Sequence, residues 1–174
     1  MDVIRLSTDW ARAEVFSAKM VWLTSLIVIA ASGGFAYFGK TAMARAYIWP
    51  YLAAGIFLIA VGIGLYLANN PRIARFEREY KANPETFVRT EITRAQKSKK
   101  DLATVLKVLP LIILFAALLI ILVSNPTWRA IGTTLVVLSV ILLIVDSNTD
   151  ARNSEYLQQL ESYEQADESS YKNN

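Results

Sequence analysis

Long apolar stretches alternate with polar ones along this chain, and their lengths decide the first question. Four runs are almost free of charge: residues 20–38, 47–68, 102–123 and 128–145. A helix needs about 20 mostly apolar residues to cross roughly 30 Å of hydrocarbon, whereas a buried helix of a soluble domain is shorter and keeps polar positions at helical spacing. The pattern predicts an all-α, polytopic membrane protein with four transmembrane helices and helical extensions on the cytoplasmic side. Residues 20–68 and 102–145 form two transmembrane hairpins. A short N-terminal segment (1–19), a loop (69–101) and a tail (146–174) lie outside them. The first run is not predicted to be a cleaved leader: three acids and three bases precede it in place of a basic leader, and apolar residues continue past Gly33-Gly34 to Phe38.

The polar stretches carry their own periodicity. Asn70-Pro71 looks like a helix start, an N-cap followed by proline at the first helical position. Ile73, Phe76 and Tyr80 then share one face. Asn83-Pro84-Glu85 repeats the signal ahead of Val88, Ile92 and Ala95, and with no Gly or Pro before Leu109 this second helix is predicted to run into the third span. After Val145, the positions of Tyr156, Leu160 and Tyr163 predict that the fourth span continues as a helix to about residue 163. The last ten residues are expected to be disordered.

Charge sets the orientation. The termini and the 69–101 loop hold fourteen Lys and Arg, against three in the two short loops, so both termini are predicted to be cytoplasmic. Tyr37, Phe38, Tyr47, Trp49, Tyr51 and Trp128 fall at the opposite interface, where amphipathic rings favour the headgroup level. The loop has nine bases and five acids and the tail seven acids and two bases, so the tail helix is expected to dock on the loop helices through their apolar faces. Arg72, Arg75, Arg78 and Tyr80, with Tyr156 and Leu160, are the candidate residues of that cytoplasmic cap.

Composition narrows the chemistry. Apolar residues make up 54% of the chain and charged residues 19%, against about 45–50% and about 25% in soluble domains. There is no cysteine and no histidine, which excludes disulfides, a thiolate nucleophile, an imidazole base and ordinary zinc or haem ligation. No nucleophile elbow or phosphate-binding glycine loop is present. The pairs Glu77/Glu79 and Asp146/Asp150 are the carboxylates to consider for magnesium, and solvation or salt bridging accounts for them more simply. The sequence therefore predicts no enzyme, no cofactor and no bound metal. The alternation of bases with acids in the loop argues against nucleic acid.

Within the membrane, small residues four apart mark helix-packing faces. These are Ala30 and Gly34 in the first span and Ala60, Gly64 and Ala68 in the second. They pack the two spans together, or they present a face to another subunit. Pro110 is expected to kink the third span near Leu106. Lys107 is expected to snorkel to the inner headgroups, with Asp146 as a compatible partner.

Two hairpins of spans, a basic helical loop at 70–100 and an acidic helix at 146–160 resemble, as an architecture, the small polytopic immunity proteins that bacteria make against membrane-acting toxins delivered by contact-dependent secretion. That resemblance implies a non-catalytic inner-membrane protein that binds a membrane protein, a toxin among the candidates. An accessory subunit of a membrane complex, or a homo-oligomer, fits the same features. The alternative is a small oligomeric channel or transporter subunit, against which stands the lack of acids at mid-span; only hydroxyls such as Ser25, Thr134 and Ser139 lie there.

Overall fold

The computed structural model describes residues 2–172, with the backbone alone at 167, 168 and 170–172. The elements are all helical: α1 (Val3–Phe38), a short α2 (Ala42–Ala46), α3 (Ile48–Ala82), α4 (Pro84–Leu122) and α5 (Pro126–Lys172). The four long helices have 36, 35, 39 and 47 residues. At about 1.5 Å per residue each is roughly 50–70 Å long, far more than a bilayer core requires. With α2 and α3 taken as one stretch, four helical segments are long and apolar enough to cross a membrane. Each has an apolar half and a polar half on a single axis, and helices continue without a break across residues 19, 68, 101 and 145.

Local chemistry accounts for the ends. Asp2 caps α1 by accepting from the Arg5 amide, and Thr41 caps α2 through the Ala44 amide. Asn83 accepts from the Thr86 amide at 2.9 Å, with Pro84 at the first position of α4. The helix start expected at Asn70-Pro71 is absent: α3 runs through Pro71. An interior proline costs about 3 kcal/mol, but breaking α3 there would detach Phe76 and the rest of the polar half from its contact with α1. The loop is thus the lower part of an α3–α4 hairpin turned at Asn83. The N-terminal segment is part of α1, and α5 stays helical to Lys172 where disorder was expected; 173 and 174 lie outside the described residues. Pro110 sits inside α4 without ending it.

Packing follows a seven-residue repeat. α1 lies along α3, and α4 lies along α5. Ala11, Ala18, Ser25 and Ser32 are buried on α1, and Gly55, Gly62, Asn69 and Phe76 on α3. In the other hairpin the buried set is Val88, Ala95, Leu109 and Ala116 on α4, with Gly132, Ser139, Asn153 and Leu160 on α5. This is the spacing of a knobs-into-holes seam. Its small members bring backbones close: a Cβ on Gly62 would strike the Trp22 ring, and one on Gly132 would lie 2.9 Å from the Ala116 carbonyl oxygen.

The faces expected to join the first two spans lie elsewhere. Ala30, Ala60, Gly64 and Ala68 are exposed and Gly34 is half-buried, and a Cβ at Gly34 or Gly64 meets nothing within 4 Å. Two residues turn a helix by about 200°, so Gly64 faces away when Gly62 faces α1.

The hairpins meet through α5. In the apolar half, Val21, Val28, Ala54 and Leu58 form a core with Leu138, Ile141 and Leu142 of α5. There α4 packs on α5 and turns Leu111, Leu114, Phe115 and Leu118 outward. In the polar half all four helices share a core built on Trp10, Phe76, Phe87, Ile92, Tyr156 and Leu160. Tyr37, Phe38, Trp49 and Trp128 are exposed around the far apolar end, where Phe35 stacks on Tyr47.

Gly62→Leu is expected to cost about 1–3 kcal/mol through overpacking against Trp22, whereas Gly64→Leu leaves stability within about 0.5 kcal/mol. Thermal unfolding of the two variants in detergent checks the contrast.

Candidate functional site

The polar-half bundle holds most of the chain's ionisable groups, and two buried assemblies in it tie the hairpins together. The first lies near the border with the apolar half. Glu14 of α1 is 2% exposed. One of its oxygens accepts from Arg152 Nε at 3.1 Å and Nη2 at 2.9 Å; the other accepts from Thr149 at 3.3 Å. Arg152 Nη2 also donates to Ser17 at 2.8 Å. A carboxylate this buried needs a cation and several hydrogen bonds, and α5 supplies them.

Asp146 lies on the apolar side of this pair, about two turns before Arg152 on α5, and is half-buried. Burial, and then the Glu14 charge, push its carboxyl above the usual carboxylate range. The expected pairing with Lys107 does not form among the described residues: Lys107 is exposed on α4, and the charge that acts on Asp146 is that of Glu14. The α4–α5 seam presents Asp146 on α5's inner line, whereas Lys107 lies off the α4 line of Val88, Ala95 and Leu109.

The second assembly is aromatic. Trp10 stacks on Tyr156 with centroids 5.2 Å apart, and the Arg94 guanidinium lies 4.0 Å over the Trp10 ring. Arg94 pairs with Glu91 at 2.7 Å, and the Tyr156 hydroxyl donates to Glu91 at 3.0 Å and lies 2.8 Å from Ser7 Oγ. Burial first, then Glu91, raise the Tyr156 phenol well above its ordinary range, so it stays a donor. Asn153, fully buried, donates to the Ala95 carbonyl at 2.8 Å. A polar residue at a seam position fixes register, because any slip leaves it unpaired.

Of the residues singled out in the sequence, Tyr80, Tyr156 and Leu160 meet in this core. Arg75 and Arg78 do not join them: both are exposed, and Arg75 pairs with Glu79 at 2.8 Å on its own helix. Arg72 is half-buried 5.9 Å from the Trp10 ring. The acidic tail meets the basic helix mainly through apolar side chains, with Arg89–Glu164 at 3.5 Å and Gln96–Glu161 at 3.1 Å at the rim. Sequence inspection missed Trp10, Glu14, Arg94, Arg152 and Asn153. The seven-residue spacing of Ser7, Glu14, Val21 and Val28 was a signal for the α1 members.

Of the carboxylates considered for magnesium, Glu77 is engaged by Lys81 at 2.6 Å and Glu79 by Arg75, and among the described residues no three acids converge. Between the hairpins in the apolar half, Val28, Tyr51, Leu58, Thr134, Leu138 and Ile141 close on one another without a water-sized gap.

Arg152→Ala strands Glu14, and is expected to lower stability by about 2–4 kcal/mol, moderated because Arg152 is partly exposed. The double variant E14M/R152M recovers most of it; unfolding in detergent measures both. Asp146 acts in the opposite sense. Its folded pKa is raised, so its stability contribution is full below the unfolded-chain value and is lost as pH rises through the folded one. Asp146→Asn is expected to raise Tm at neutral pH and to flatten the decline between acid and neutral pH relative to the unsubstituted chain.

Comparison of the chain with protein-family models, with curated proteins and with solved structures finds no match in any of the three.

Proposed function

We propose that this chain is a non-catalytic integral protein of the bacterial inner membrane that works by associating with another membrane protein inside the bilayer. Its termini and the α3–α4 hairpin lie on the cytoplasmic side in this reading, on the strength of the fourteen basic residues at that end. The exposed aromatic residues at the other end suit the outer headgroup level.

One observation carries the proposal. Ala60, Gly64 and Ala68 form a small-residue line on α3 that the chain's own packing leaves uncovered. In lipid, helices associate by close backbone approach along such lines. The occupant proposed is a transmembrane helix of a partner protein. The architectural resemblance to immunity proteins puts a membrane-acting toxin first among partners, neutralised by covering the surface through which its own helices assemble. An accessory-subunit role uses the same face. The closed packing between the hairpins favours this reading over a pore within one chain.

Affinity purification from native membranes in mild detergent, with mass spectrometry of what co-purifies, tests it. A stoichiometric membrane partner that is lost from Gly64→Leu, while that variant folds normally, is the expected result. A homo-oligomer that conducts ions in proteoliposomes would replace this reading with the channel-subunit one.

A further inference from the structure

Arg72 is a charged group of the polar half that the bundle's own hydrogen bonds and ion pairs leave unengaged. It projects from α3 where α1, α3 and α4 meet, four residues after Ala68 closes the second apolar run. Among the described residues it makes neither a hydrogen bond nor an ion pair; its recorded partner is the Trp10 ring, 5.9 Å from its guanidinium carbon. The same ring carries Arg94 at 4.0 Å, so two guanidinium groups share one aromatic surface. The nearby carboxylate, Glu91, is already occupied by Arg94 and the Tyr156 hydroxyl. Arg75, the next base along α3, is taken up by Glu79. The Glu91 charge offsets only part of the cost of a half-buried guanidinium beside a second one, which leaves Arg72 short of counter-charge.

That cost is relieved by an anion. Burial, and then the Arg94 charge, hold the Arg72 guanidinium below its ordinary pKa, as expected of a cation short of counter-charge. None of its nitrogens is both fully buried and unpaired, so its donors reach the surface. Arginine forks match the oxygens of phosphate, and basic pockets between helices at the cytoplasmic border hold phospholipid headgroups. We propose that Arg72, backed by Arg94 and Trp10, is a phosphate-binding site that holds the headgroup of an anionic phospholipid at the junction of α1, α3 and α4. The proposal rests on the membrane reading only for the source of the phosphate.

The test uses the full chain in nanodiscs of phosphatidylcholine with and without phosphatidylglycerol, followed by native mass spectrometry and thermal unfolding. The expected result is one retained phosphatidylglycerol per chain and a higher Tm in its presence. Arg72→Gln weakens retention by about tenfold or more, yet melts no lower than the unsubstituted chain in phosphatidylcholine alone, because it breaks no hydrogen bond or ion pair and gives up only a ring contact at 5.9 Å. Arg78→Gln removes one charge from an exposed position of the same helix and keeps the lipid. Equal losses from both variants, retention by Arg72→Gln, or a collapse of Arg72→Gln in phosphatidylcholine would overturn the site. Inorganic phosphate, added to the protein in lipid-free detergent, is the second arm. A phosphate-induced rise in Tm as large as that given by phosphatidylglycerol, and lost in Arg72→Gln, would overturn the lipid as the ligand in favour of free phosphate. A chain that stayed out of the discs would break the membrane reading instead, and the detergent arm would still decide the site.

Discussion

The α1–α3 seam is the contact on which the rest of the protein depends. It runs from Ser32 at one end to Ala11 at the other, through a medium expected to be lipid and then through one expected to be water. In lipid, a helix must satisfy its backbone internally, so the apolar halves cannot break. In water, a helix of this length needs a packed face to remain ordered. A seven-residue repeat meets both demands, because it keeps one line of residues on the partner along the whole axis. Small residues on that line let the backbones approach, and the resulting contact tolerates a proline at position 71 that would otherwise end α3.

The two halves then solve the same packing problem with different chemistry. The apolar half uses hydroxyls that return to nearby carbonyls, as Thr134 does to Ala130 and Ser25 to Trp22. The polar half uses charge and amide groups across helices: Glu14 with Arg152, Asn153 with Ala95, and Glu91 between Arg94 and Tyr156. The Glu14–Arg152 and Tyr156–Ser7 bonds reach from one hairpin to the other, whereas the apolar half offers the longer bond from Tyr47 to Thr133, at 3.4 Å. Registry between the hairpins is therefore set at the polar end.

What the bundle leaves unsatisfied lies on its outside. Among the described residues, the line of Ala60, Gly64 and Ala68 is exposed and Arg72 makes no ion pair. The first is a shape without a filler and the second a charge short of counter-charge. The proposed protein partner and the proposed lipid answer these separately, and each stands if the other fails.

The sequence alone determined the helical class and the four long apolar stretches, and it marked the start of α4 at Asn83. Those features depend on local quantities, namely run length, hydropathy and a capping side chain; the start it offered at Asn70-Pro71 was overridden by packing that a local reading does not contain. The union of tail and loop through Tyr156, Leu160 and Val88 was legible too, because apolar positions at helical spacing must be buried somewhere. What only the tertiary structure decided is which face of each helix is inside. Small residues four apart pointed to Ala60, Gly64 and Ala68 on α3, whereas the seam uses Gly55 and Gly62, seven apart. The choice between them depends on where Trp22 and Ala18 lie across the seam. The same holds for charge: Glu14, Arg152 and Arg72 look alike as polar letters. Glu14 finds its cation 138 positions away in the chain, and among the described residues Arg72 pairs with no acid, since pairing over that distance is a property of the assembled bundle.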